Sequence, residues 1–132
     1  MTMKTLYVFL ILIVILGVLD FIWLGVVAKK FYVREFEDML KNPFNIYSAI
    51  VVYLLLALGI FIFVLNNNFV KTPLSALVVG AVFGVIVYGV YDLTNYATIQ
   101  NYSLKVVFVD MLWGGCIAGV SAFLTKYFAG MI

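Results

Sequence analysis

The chain has 132 residues, of which 67% are hydrophobic, 17% aromatic and 11% charged, and its mean hydropathy is +1.21. A water-soluble domain carries about 25% charged residues, so a soluble globular, fibrous or disordered chain is excluded, and four long apolar stretches mark an integral membrane protein. With no histidine and one cysteine, Cys116, the chain lacks ligands for haem, zinc or an iron–sulfur cluster and the parts for Ser-His-Asp or Cys-His catalysis; its net charge of +2 is too small and dispersed for a nucleic-acid groove.

The first apolar run, 6–28, follows Lys4 and continues through Trp23 to Lys29 and Lys30 without a small-residue cleavage pattern. It reads as a retained helix rather than a signal peptide. Its length of about 34 Å exceeds the roughly 30 Å of bilayer hydrocarbon. After it, Tyr32, Phe36, Met39 and Leu40 recur at i, i+4, i+7 and i+8, with Arg34, Glu37, Asp38 and Lys41 on the other face. This spacing predicts a short interfacial amphipathic helix that ends near Asn42-Pro43. An anchor is the plain reading of such a helix, and a lid or gate is the alternative.

The second span, 46–65, ends at Asn66-Asn67-Asn68, which cannot rest in lipid unpaired. The third, 73–96, opens at Thr72-Pro73, where proline's missing N–H is harmless, and the fourth is 103–125. Residues 1–132 are thus expected to form a single four-helix, all-α transmembrane domain. Four crossings put both termini on one side, here called side A, and the opposite face is side B. Side A carries Lys4, Lys71 and Lys126, while side B carries Lys29, Lys30, Arg34, Lys41 and Lys105. The positive-inside bias then places side B in the cytoplasm, with both termini outside.

Of six acidic residues, Glu35, Glu37 and Asp38 belong to the surface helix, whereas Asp20, Asp92 and Asp110 lie inside spans. Each aspartate at bilayer depth costs about 2.5 to 3.5 kcal/mol on insertion scales. Measured from the side-B ends of their spans, all three fall about 10 to 14 Å deep at helical rise. A shared polar pocket below side B accounts for one layer drawn from three helices. Gly80, Gly84, Tyr88, Tyr91 and Asn95 form a helical stripe beside Asp92, and Asp110, Gly114, Ala118 and Ser121 form another. On the first span Gly17, Asp20, Trp23 or Leu24, and Ala28 share a side. Gly80/Gly84 and Gly115/Gly119 satisfy the GxxxG pattern of closely packed membrane helices, which predicts a homodimer or larger oligomer through these faces.

Asp20-x-x-Trp23 and Asp110-x-x-Trp113 repeat one spacing, with Asp92-x-x-Asn95 between them. At i, i+3 the indole N–H or the amide lies within reach of the carboxylate on its own helix; a membrane-interface belt is the alternative role of the tryptophans. The candidate binding residues are Asp20, Asp92 and Asp110 with Trp23, Tyr88, Tyr91, Thr94, Asn95, Lys105 and Trp113. Clustered carboxylates need something positive: protons, a hard cation on Asp20, Asp92 and Asp110 assisted by Asn95 and Thr94, or Lys29, Lys30 and Lys105 snorkelling inward.

Three segments, Asp20-Phe21-Ile22-Trp23-Leu24-Gly25, then Tyr91-Asp92-Leu93-Thr94-Asn95 with Ala97-Thr98, and Leu104-Lys105 leading to Val109-Asp110-Met111-Leu112-Trp113-Gly114, resemble a family of small bacterial membrane proteins, domain of unknown function 2177. The resemblance covers nearly the whole chain. Ser103 stands where that pattern often has proline. It implies a four-helix membrane protein whose signature includes the three acids, and it brings no activity. Three functions remain open from the residues: proton- or cation-coupled transport or ion binding, lipid- or isoprenoid-modifying catalysis, and a structural or regulatory subunit. Membrane lipids are the expected partners.

Overall fold

A computed structural model describes residues 2–41 and 44–130. Four membrane-length helices cross in alternating directions. Helix α1 (Met3–Ile22) continues through a π-helical turn (Trp23–Val27). A short α2 (Lys29–Phe36) follows, then α3 (Ile46–Ile60) with a second π-helical turn (Phe61–Leu65), α4 (Pro73–Thr98) and α5 (Leu104–Ala129). The four spans expected from hydropathy agree with these helices to within a few residues.

Each start is fixed by local chemistry. Thr2, Asn45, Thr72 and Ser103 accept from the backbone N–H three residues on, satisfying donors that lipid would leave bare. At Thr72 the cap is reciprocal with Ser75 and Pro73 follows at once, so α4 starts sharply.

The amphipathic helix is shorter than its pattern predicts. α2 ends at Phe36, and Glu37 turns to φ 50°, a left-handed conformation that stops an α-helix; a single 3-10 turn (Glu37–Met39) follows. Met39 and Leu40 are therefore exposed rather than continuing the face of Tyr32 and Phe36. The expected stop at Asn42-Pro43 lies outside the described residues.

Helices α4 and α5 are the most intimate pair. A Cβ on Gly80 would stand 2.8 Å from the Ala118 carbonyl oxygen, and one on Gly119 would stand 2.9 Å from that of Leu77. Gly84 meets the Gly114 backbone more closely still. Both GxxxG motifs are thus occupied inside the chain, α4 against α5, and the glycine faces expected to join two copies are already filled. Helix α1 packs on α5 and α3, with Leu12, Leu16, Ala57, Ile60, Val64, Ile117 and Ala122 as the core. Side chains such as Val14, Phe21, Val82 and Leu112 point outward, as lipid-facing residues should.

Because Gly84 and Gly114 leave no space for even a methyl group, Gly84→Ala should destabilise the bundle by about 3 kcal/mol. Gly17, with open space around its Cβ position, is the contrast. Gly17→Ala should be neutral or slightly stabilising, since alanine is the better helix former. Unfolding of the purified variants in mixed micelles with increasing denaturing detergent measures both.

Candidate functional site

Of the three intramembrane aspartates, Asp20 and Asp92 are buried and Asp110 is half-buried, and they divide into one and two. Asp20 lies on α1 and is 7% exposed. Its Oδ1 accepts from the Trp113 indole N–H of α5 at 2.9 Å, and its Oδ2 accepts from the Tyr53 hydroxyl of α3. One carboxylate thereby ties three helices together, with both oxygens partnered.

Asp92 of α4 is completely buried. Its Oδ1 accepts from the Tyr102 hydroxyl at 3.1 Å, and Asn95 Nδ2 donates to that hydroxyl at 3.5 Å. Across the α4–α5 seam the Asp110 carboxyl is its charged neighbour. Among the described residues Asp92 Oδ2 meets no donor. Asp110 Oδ1 accepts from the Tyr32 hydroxyl of α2 at 2.9 Å, and that hydroxyl accepts from the Trp23 indole N–H at 3.2 Å. Burial and the Asp110 charge push the Tyr32 phenol well above its usual range. It therefore remains a donor at any pH the protein meets. Burial does the same to Tyr102.

The i, i+3 pairing expected on each helix is exchanged between helices. Trp113 donates to Asp20, Trp23 to Tyr32, and Asn95 to Tyr102. The two indoles stack face to face, 4.6 Å apart and 9° from parallel. Stacking holds each N–H over the neighbouring helix, whereas side chains three apart on one helix lean the same way along the axis. On α1 the site takes Trp23 and leaves Leu24 exposed.

Other expected members fare differently. Tyr88 is half-buried on α4. With Tyr91, Asp110 and an apolar wall including Val52, Leu55 and Phe83 it lines a cavity of about 490 Å³. Tyr91 is otherwise 61% exposed. Thr94 is exposed, and its carbonyl, not its hydroxyl, is engaged, by Thr98. Lys29, Lys30 and Lys105 remain at the surface. The one salt bridge among the described residues joins Arg34 to Glu35 at 3.7 Å, so no lysine ammonium locks the acids. No group of three His, Cys, Asp or Glu side chains able to hold a metal ion occurs among the described residues; the aspartates do not make a three-carboxylate cage.

Tyr32, Tyr53 and Tyr102, which sequence reasoning did not place in the site, supply most of its donors. The available signal was weak: Tyr32 was legible only as part of an apolar face, although a buried phenol needs a hydrogen-bond partner. A further tie holds α2 in place. Ser103, the N-cap of α5, donates through Oγ to Glu35 Oε1 at 2.6 Å.

A family described as a predicted membrane protein (DUF2177) matches residues 5–127. The chain belongs to this family. Comparison with curated proteins and with solved structures gives no match. The stretch that the family model matches contains all three aspartates and the tyrosines and tryptophans that bind them.

The crossed hydrogen bonds are testable. A double-mutant cycle between Trp113→Phe and Asp20→Asn should give a coupling of about 0.6 to 1.7 kcal/mol, the range for polar contacts within membranes. The same cycle between Trp23→Phe and Asp20→Asn should give a coupling near zero. Helix α2 provides a pH test. The Ser103 hydrogen bond, assisted by the charges of Lys105 and Arg34, holds the Glu35 carboxyl below the usual carboxylate range. A lowered folded-state value means that the tie is intact at neutral pH and is lost as acid protonates Glu35. Amide exchange of residues 29–36 should therefore quicken as pH falls below about 4.5, after correction for the intrinsic exchange rate, and Glu35→Gln should remove that step.

Proposed function

We propose that this protein is a proton-coupled membrane protein, and that the Asp92–Asp110 pair is its proton-binding site. The observation that carries this reading is the meeting of two carboxyls across α4 and α5, with Asp92 Oδ2 buried and without a donor among the described residues. Two adjacent carboxylates in a low-dielectric interior cannot both be charged, and a proton held between them supplies the missing donor. Intramembrane acids at a bundle centre are functional by default.

The roles then separate. Asp20, with both oxygens engaged, is a brace among α1, α3 and α5. Asp110 faces both its partner acid and the cavity between α3 and α4, so its protonation state bears on whatever occupies that space. The cavity's wall is mostly apolar, with the phenols of Tyr88 and Tyr91 beside the acid, which fits a small amphiphile with a hydrogen-bonding head. Tyr32 and Tyr102 close the site on side B, the face that the positive-inside bias assigns to the cytoplasm of a bacterial inner membrane. Coupled transport of the amphiphile with a proton is the activity that follows. Any assembly of several copies would use lipid-facing surfaces other than the glycine seam.

Infrared spectroscopy of the purified protein tests the pair. Wild type at neutral pH should show the C=O band of a protonated carboxyl. Asp92→Asn and Asp110→Asn should each remove or shift it, because each takes one of the two carboxyls out of the pair. Asp20→Asn should keep it while lowering thermal stability. In proteoliposomes with a pH gradient and an internal pH dye, proton uptake should fall at least tenfold in Asp92→Asn and Asp110→Asn. Absence of the band in wild type, or uptake no faster than in empty liposomes across a panel of amphiphiles, would overturn the reading.

A further inference from the structure

The opposite end of the bundle holds a second, separate cavity, of about 320 Å³, between the start of α1 and the ends of α3 and α5. Lys4 and Lys126 border it together with Thr2, Thr5, Asn66 and Thr125, and the remaining wall, including Val8, Phe61 and Leu65, is apolar. Among the described residues no acidic side chain lines it. Thr125 is completely buried, and its Oγ1 has no hydrogen-bond partner among the described residues. A threonine on a membrane helix ordinarily bonds back to the carbonyl four residues earlier. Here it does not, so an unused hydroxyl lines a cavity bordered by two cations.

We propose that this cavity binds the phosphate headgroup of an anionic phospholipid. The phosphate oxygens sit between the ammonium groups of Lys4 and Lys126 and accept from Thr125 Oγ1, while the glycerol and first acyl carbons lie against Val8, Phe61 and Leu65. Three features select this ligand. The cations are unopposed by acidic side chains in the lining, the orphan hydroxyl can donate to an oxyanion, and the apolar wall belongs to helix ends where bilayer headgroups lie. A free phosphate shares the headgroup chemistry but has no use for that wall. The α1 N-terminus adds a favourable field for an anion near Thr2 and Thr5.

Native mass spectrometry of the full chain released from detergent, titrated with phosphatidylglycerol or phosphatidylcholine, tests the site. Phosphatidylglycerol should bind at least tenfold more tightly. Lys4→Gln and Lys126→Gln should each weaken it about fivefold, the effect of one basic residue near an anionic surface. Thr125→Val, which keeps the shape and removes the hydroxyl, should weaken it several-fold. Lys71→Gln, a lysine on the same side that does not border the cavity, should leave it unchanged; Lys4 is exposed, so folding is not at issue for its variant, and a thermal melt of Lys126→Gln, which is half-buried, separates lost binding from lost fold. Equal binding of the two lipids, an equal loss with Lys71→Gln, or displacement of phosphatidylglycerol by inorganic phosphate at matched concentration would each overturn the proposal. None of these outcomes depends on the Asp92–Asp110 pair.

Discussion

Backbone contact between α4 and α5 decides where the polar groups of this bundle can meet. Asp92 and Asp110 have short side chains, and two short side chains on neighbouring helices touch only if the helix axes come unusually close. Glycine at positions 80, 84, 114 and 119 removes the side chains that would keep the axes apart. The seam therefore does more than pack. It sets two acids against each other, and the aromatic donors of α1, α2 and α5 arrange themselves around the resulting charge. Tyr32 bridges from an interfacial helix to Asp110, and the stacked Trp23–Trp113 pair joins this region to the brace at Asp20.

This arrangement changes the meaning of α2. An anchor would bury its apolar face in headgroups and leave the site alone. Instead Tyr32 is 8% exposed, with its hydroxyl spent on Asp110, and Glu35 is held at the N-cap of α5. The helix is fastened at two points to the elements that frame the acids. It ends abruptly at Glu37 because the chain turns left-handed there. An amphipathic segment that both covers and hydrogen-bonds an intramembrane carboxyl is part of the site's wall.

Much of this was legible in the amino-acid order because lipid imposes simple rules. Length and hydropathy located the four spans, and Thr72-Pro73 and Ser103 announced helix starts. Counting residues from the span ends put Asp20, Asp92 and Asp110 in one layer; Asp20 and Asp92 are buried, and Asp110 is half-buried with its carboxylate on Tyr32. What could not be read is which side chain crosses to which helix. The i, i+3 spacing placed Trp113 beside Asp110, yet inter-helix stacking turned its N–H to Asp20. The inward snorkelling considered for Lys105 fails because its charge acts on Glu35 at the surface, where water solvates the ammonium for nothing. Tyrosine is ambiguous in a membrane sequence, since belt, core and site tyrosines share one composition, so Tyr53 and Tyr102 carried no mark.

One stripe on α5 links the two ends of the molecule and also keeps them apart. Asp110, Gly114, Ala118, Ser121 and Thr125 share a face, at steps of three or four residues. From Asp110 to Ser121 the rise is about 16 Å, and the backbones of Gly80 and Gly84 fill that interval on the partner helix. Such a seam leaves no polar relay between the acids and the Lys4–Lys126 end. On the proposed reading, a proton loaded on Asp92 and Asp110 from side B thus has no straight course through a single copy. Its remaining outlet is sideways, where Asp110 faces the cavity between α3 and α4. Under the proposed proton-coupled reading, the pair would exchange with a solute in that lateral space, and passage to side A would require α3 to move relative to the α4–α5 seam.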